Sequence, residues 1–402
     1  MSEKKKTMTA EADHRYSTRC RTAPYFPKEV SRIEGRGKHQ VFVPCKTRKK
    51  ERNILSLPRD IIFNILILIP ATVLHQVVRY VCKQWNDILN DPRFIKTQCQ
   101  SSSACLLIQT MTQQHNVYYI EGDVLTQVAF PNTGKIYGSC NGLVLFQNFS
   151  YPQILSVINP VTKVKISLPP LHWLGTLISS IGFAITSCGH YKVMVKLPDE
   201  DHRPKIQVMV FTIGVDKAWR IIDLQINSIM DHNIIVCPAF FIAGMMYWYY
   251  SNHTCYALDV DTETIYQFSK PDNVSVQLFG QTNFLNLGVG LGLIQKDEGK
   301  WRLWKLTDEK SCVWTELDGI NETAILSTLS KNFFLRDCKS VVPTRLIDDM
   351  LWFHFVGCRE SIVIRFNLAN KSYVIFRVKN VPPVIGNFHH VHTLVSPKKC
   401  YF

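Results

Sequence analysis

The sequence predicts an α+β protein: a small N-terminal three-helix unit followed by a large all-β domain, an irregular β-propeller of about six blades. Three observations lead there. Between Leu57 and Leu89 apolar residues recur at helical spacing. From about residue 104 the pattern changes to short strand-like runs with polar turns between them. Six hairpin-like segments of one shape then recur at blade-sized intervals.

Composition frames these elements. The chain has 402 residues, enough for one small module and one large domain, and its 46% hydrophobic and 19% charged content is that of a globular protein. Its formal charge is +14, but residues 1–52 hold 15 Lys/Arg against 6 Asp/Glu and so carry +9 of it. This leader has no apolar period and is expected to stay disordered. Its cluster Lys46, Arg48, Lys49, Lys50 and Arg52 is a candidate nuclear-localisation signal or nucleic-acid contact.

The first thirty residues hold no apolar core of a signal peptide, and no run approaches the roughly 18 uninterrupted apolar residues that span a bilayer. Neither secretion nor a membrane partner is expected. Thirteen cysteines without one C-x-x-C read as reduced thiols, which places the chain in the nucleus and/or cytoplasm.

The helical unit is read over residues 53–95. Pro58 suits the first turn, because its missing N–H costs nothing there, and Asp60 sits near the positive end of the dipole. Ile61, Ile62, Ile65, Leu66 and Ile69 define one helical face. Phe63, Ile67 and Leu68 lie outside it, so the first helix is apolar nearly all round and must be covered on more than one side. Pro70 ends it. A second helix carries Val73, Leu74, Val77, Val78 and Val81, and a third carries Trp85, Ile88 and Leu89 up to Asp91-Pro92. Three short helices cannot enclose both sides of the first, which leaves apolar surface for a partner.

These residues resemble an F-box: Leu57-Pro58-x-Asp60-Ile61-Ile62-x-x-Ile65-Leu66, then Ile69-Pro70, Arg79-x-Val81-Cys82-Lys83-x-Trp85 and Asp91-Pro92-x-Phe94. Two positions depart, Arg59 for a frequent acidic residue and Leu68-Ile69-Pro70 for the common Arg-Leu-Pro. The resemblance implies docking onto a Skp-type adaptor held by a cullin scaffold in an SCF ubiquitin ligase. By that likeness Leu57, Pro58, Ile61, Ile62, Ile65, Leu66, Ile69 and Pro70 lie toward the adaptor. Val81, Cys82 and Trp85 contribute to the core and a second contact surface.

Residues 96–103 read as a linker, 104–396 as the β domain and 397–402 as a tail. The hairpins begin at Val117, Val157, Val210, Tyr256, Leu303 and Ile364, separated by 40, 53, 46, 47 and 61 residues. Each is preceded by another apolar strand, such as Leu143–Phe146 or Met245–Trp248, expected to be an inner strand of its blade. Tyr137-Gly138-Ser139-Cys140-Asn141-Gly142-Leu143, Ile158-Asn159-Pro160-x-Thr162 and Leu168-Pro169 are similar to the plant-type F-box-associated or kelch-like region, although the Gly-Gly pair of kelch repeats is absent. A two-sheet sandwich is the alternative architecture.

Sites for chemistry are scarce. His389-His390-Val391-His392 lacks the further ligands of a metal site and reads as a packed or exposed terminal strand, so no metal and no cofactor are expected. Gly288-Val289-Gly290-Leu291-Gly292 lacks the strand-to-helix setting of a dinucleotide loop and reads as an inner strand crowded at the propeller axis. Asp259 with Asp261, and Asp348 with Asp349, fit turn chemistry rather than a paired-carboxylate glycosidase. The reading that follows is a non-catalytic receptor that holds an unidentified target protein. A nuclear or nucleic-acid-associated regulator acting through the basic leader is the first alternative, and a propeller enzyme the second.

Overall fold

The computed structural model describes residues 57–399 except 111–116, 129–132, 149–150, 152, 172–179, 198–204, 226–239, 243, 250–253, 272–273, 275–281, 288–289, 298–299, 309–312, 322–339, 348–349, 357–360, 371 and 379–383. Pro58 caps α1 (Arg59–Leu66), its carbonyl accepting from Ile61 and Ile62. Pro70 likewise precedes α2 (Ala71–Gln76). The second helix is shorter than its apolar period: it breaks at Val77, and a 3₁₀ turn covers Val78–Tyr80. Two consecutive β-branched residues disfavour a continued α-helix there.

After α3 (Lys83–Leu89), a fourth helix, α4 (Pro92–Ser101), occupies most of the segment expected to be a linker. Asp91 is its cap, accepting the Arg93 N–H at 3.0 Å, and Pro92 takes the first position, where proline fits. Phe94, Ile95, Gln98 and Cys99 form its buried face. A linker reading overlooked that a Pro-started amphipathic turn can run on wherever a surface awaits it.

The β domain is a six-bladed propeller, each blade a four-stranded antiparallel sheet, which rules out the sandwich alternative. The first strands after α4 are β1 (Ala104–Thr110), β2 (Val117–Glu121) and β3 (Val124–Val128). Next come the blade of β4 (Thr133–Cys140), β5 (Leu143–Asn148), β6 (Leu155–Ile158) and β7 (Lys165–Ser167), and that of β8 (Ser180–Ile185), β9 (Tyr191–Lys196), β10 (Lys205–Thr212) and β11 (Arg220–Gln225). β12 (Phe240–Ile242), β13 (Met245–Tyr249), β14 (Thr254–Asp259) and β15 (Ile265–Ser269) form the fourth. β16 (Thr282–Asn286), β17 (Leu291–Asp297), β18 (Lys300–Asp308) and β19 (Val313–Asn321) form the fifth. β20 (Ser340–Ile347), β21 (Met350–Val356), β22 (Ser361–Asn367) and β23 (Tyr373–Val378) form the sixth. Finally β24 (Val384–Val391) pairs with β1, from Ala104 opposite Val391 to Thr110 opposite Val384, and so completes the first blade with the last strand.

All six hairpins read from the sequence are the third and fourth strands of their blades. The strands before them, such as β5 and β13, lie inside these hairpins as the second strands of their blades, next to the innermost. The innermost strands were the hardest to read because they are irregular. β4 shifts register twice, around Ile136, and Gln109 of β1 compensates by accepting the Ile136 N–H and donating to the Gly134 carbonyl, both at 2.8 Å. Inner strands also crowd one another. A Cβ on Gly182 of β8 would fall within 1.4 Å of the Phe241 ring on β12. Axial crowding therefore occurs at Gly182, whereas Gly292 lies on the second strand β17, under Leu287.

Three of the outer hairpins share a turn. Asp259 accepts the N–H groups of Asp261 and Thr262 at 2.7 and 3.0 Å, and Asn367 does the same for Ala369 and Asn370 at 2.8 and 3.1 Å. Asn159 accepts from Val161 and Thr162 in the same way and adds a second task. Its Nδ2 donates to the carbonyls of Thr393 at 2.9 Å and Val395 at 2.6 Å, binding the segment after β24 to the second blade. Thr393 Oγ1 donates to the Asn141 carbonyl at 2.9 Å. Gly142 lies beneath this strap at φ +80°, where a Cβ would meet Thr393 Oγ1 at 2.1 Å.

Neighbouring blades are pinned by side chains. Trp219 Nε1 donates to the Pro169 carbonyl at 2.8 Å, and Trp314 Nε1 to that of Ser269 at 2.9 Å. Glu263 accepts from Lys192 at 2.8 Å and from both terminal nitrogens of Arg220, joining the third and fourth blades. The Arg220 hydrogen bonds and the nearby Lys192 hold its carboxyl down at about 2.

Alanine at Asn159, fully buried, is expected to cost about 2–4 kcal/mol, since it strands two carbonyls and the turn N–H groups; a lowered thermal midpoint is the readout. Glu263 titrates below its ordinary value of 4.5. Its ion pairs therefore stabilise fully above about pH 4.5 and lose that contribution as pH falls toward 2. The thermal midpoint of Glu263→Gln should lie below the parent's at pH 6, and the gap should shrink through that window.

Candidate functional site

Helix α1 carries two apolar stripes about 100° apart. Ile62 and Leu66 are 1% and 0% exposed and belong to a cluster that also holds Leu74, Ile88 and Phe94 of the helices. The same cluster continues without a break into Leu145 and Val157 of the second blade and Val193 of the third. Phe63 and Ile67 pack against it half-buried, Phe63 edge-on to Phe94 at 5.0 Å. The other stripe, Pro58, Ile61, Ile65 and Leu68, faces outward, with Leu68 83% exposed.

The second helical segment repeats the division. Ala71, Leu74 and Val78 turn inward, while Val73, Val77, Tyr80 and Val81 are exposed. Arg79 stacks over the Tyr80 ring at 5.3 Å and meets His75 Nε2 at 2.8 Å. Burial and the Arg79 charge hold His75 below its ordinary range, so the ring stays neutral beside the guanidinium. Arg59, the departure from the frequent acidic residue, reaches Asp91 Oδ2 at 3.3 Å and ties the start of α1 to the cap of α4. That exposed pair contributes little stability.

The expected site residues thus divide by depth. Pro58, Ile61, Ile65, Pro70 and Val81 are exposed, and Leu57, Ile69, Cys82 and Trp85 are half-buried. Ile62 and Leu66 are a correction to the expected outward face: this chain's own core encloses them, because residues 62 and 66 share the inward stripe. Leu68, Val73, Val77 and Tyr80 join the exposed set, for which the signal was an apolar period too full for one face. The basic cluster Lys46, Arg48, Lys49, Lys50 and Arg52 lies outside the described residues, as do Asp348 and Asp349.

The His389–His392 segment is packed in the strand that closes the ring. His390 is 1% exposed, its Nδ1 2.8 Å from Ser139 Oγ, and its ring stacks on Tyr119 at 5.2 Å. His392 lies edge-on to Tyr119 at 4.6 Å, and its Nε2 is 3.9 Å from Cys105 Sγ. Burial keeps both imidazoles below their ordinary range and pushes the thiols of Cys99, Cys105 and Cys140 up to about 12, so the cluster is uncharged and unreactive at neutral pH. Asp261 accepts the Ser187 N–H at 2.8 Å across the third and fourth blades, a structural role.

Sequence-family comparison assigns both parts. An F-box-like family model matches residues 54–101, and a model described as "F-box associated beta propeller domain" matches residues 94–398. The chain belongs to the F-box-associated β-propeller family. An F-box protein of Arabidopsis thaliana is 28% identical over 224 residues, covering 52% of this chain and 58% of the relative, so the chain spans little more than half of that relative's length. An F-box/LRR-repeat/kelch-repeat protein of the same plant is 23% identical over 359 residues, covering 83% of this chain and 98% of that one. In this F-box protein the matched helices are those that carry the two stripes.

The two stripes predict opposite responses to charge. Aspartate at Ile61 or Ile65 should leave the thermal midpoint nearly unchanged, as exposed substitutions do. Aspartate at Ile62 or Leu66 buries an unpaired charge and should destabilise by about 3–5 kcal/mol, abolishing a cooperative melt if the chain no longer folds.

Proposed function

We propose that this F-box protein is the substrate-recognition subunit of an SCF-type E3 ubiquitin ligase. Its outward apolar stripes dock onto a Skp-type adaptor, and through it a cullin scaffold, while the propeller captures a target protein. The observation that carries this reading is the row Pro58, Ile61, Ile65 and Leu68, continued by Val73, Val77, Tyr80 and Val81, on helices matched by the F-box family. Soluble proteins rarely leave so contiguous an apolar face uncovered, and apolar helices docking against a partner's helices are a common use for one.

The chain acts by positioning. A receptor that holds a target near a charged conjugating enzyme raises the local concentration of acceptor lysines, and no acid, base or nucleophile is required of it. The core shared by the helices and two blades supports this, because it leaves no flexible joint between the adaptor-facing helices and the propeller.

Co-purification tests the reading. Ile61→Asp combined with Val81→Asp should remove adaptor and cullin from the purified full chain while its thermal midpoint stays near the parent value. Undiminished recovery of both partners with the double variant would refute the docking face.

A further inference from the structure

A cleft of ≈ 520 Å³ lies between the α1–α2 connection, the end of α4, strands β2 and β3, and the β6–β7 turn. Leu68 and Val73 of the outward apolar surface, 83% and 42% exposed, are also part of its wall. The cleft is therefore continuous with the surface assigned to the adaptor. Its other wall belongs to the propeller, where Thr126 and Val128 of β3 line it together with Glu121 and Lys163. Glu121, Thr126 and Lys163 are exposed and Val128 is half-buried.

The lining changes in character from the helices to the blade. Leu68 stands where the common pattern carries arginine, so the helical side is apolar in this chain. The propeller side adds two charges of opposite sign, the composition of an interface whose apolar centre gives way to a polar rim. A partner resting on Leu68 and Val73 lies over this cleft. Leaving it empty would cost the lining its dispersion contacts, and the core that joins the helices to the second and third blades holds the α1–α2 connection too firmly to close the gap.

We infer that the Skp-type adaptor does not stop at the helices: one of its segments, a large apolar side chain flanked by polar residues, enters this cleft and contacts strand β3 of the first blade. The inference rests on the adaptor reading above and extends that interface to the propeller. Continuity selects the occupant. A segment of the target would have to share Leu68 and Val73 with the adaptor in one complex, so the two cannot both be seated there. An adaptor held by helices and propeller together has the orientation of the propeller fixed by two contacts instead of one.

The test titrates a purified Skp-type adaptor into the full chain by calorimetry. Thr126 and Gln127 are exposed neighbours on β3 whose side chains leave opposite faces of the strand, and of the two Thr126 lines the cleft. Thr126→Arg should weaken adaptor binding by about tenfold, the loss of one well-packed contact. Gln127→Arg should leave it near the parent's, and both variants should keep the parent's thermal midpoint. In the parent, amide hydrogen exchange over residues 124–128 should slow when the adaptor is added. Binding that Ile61→Asp with Val81→Asp removes but Thr126→Arg leaves unchanged would overturn this inference and leave the docking face standing. Equal weakening by the two arginines, or unchanged exchange over 124–128 in the complex, would overturn it as well. An adaptor that does not bind the parent chain at all would overturn both readings.

Discussion

The pairing of the last strand with the first is the constraint on which the rest depends. A propeller packs every blade between two neighbours only when its ring is closed, and here closure requires β24 to meet β1 across almost the whole β domain. Loop-closure entropy opposes so distant a pairing. The compensation is concentrated where the strands meet. Asn159 holds the carbonyls of Thr393 and Val395, Gly142 lets Thr393 pass at close quarters, and His390 fits between Ser139 and Tyr119. Gln98 and Ser102 of the helical part both donate to the His392 carbonyl. Closing the ring thus also seats α4.

That seat determines how the first helix is used. A helix apolar on nearly every side is unstable alone in water, and its two stripes have separate fates. One is consumed by a core that runs without interruption from the helices into two blades. The other stays exposed beside Val73, Val77 and Tyr80. The shared core makes the outward stripe rigid as well as accessible, and a rigid face loses less entropy on docking than a mobile one.

The blades show how a degenerate repeat retains its shape. Their sequences share no single signature, yet Asn159, Asp259 and Asn367 occupy the same turn and make the same two hydrogen bonds to backbone N–H groups. Short polar side chains suit such turns, which is why the third-to-fourth-strand hairpins were readable one by one. The inner strands were not. Their register is fixed by partners far along the chain, as Gln109 fixes β4 and Phe241 overlies Gly182, and no local alternation records those contacts.

The sequence alone determined the helical unit, its family resemblance, the six outer hairpins and the turn role of Asp259, since each follows from the backbone preferences of adjacent residues. The extension of α4 to Ser101 also obeyed local rules, a cap at Asp91 and a proline at the first position, but only a waiting surface made it continue. Tertiary structure alone decided that Ile62 and Leu66 turn inward while Ile61 and Ile65 remain outside. The helical period groups these residues on two sides of one cylinder. Which side is covered depends on where the closed ring brings its second and third blades.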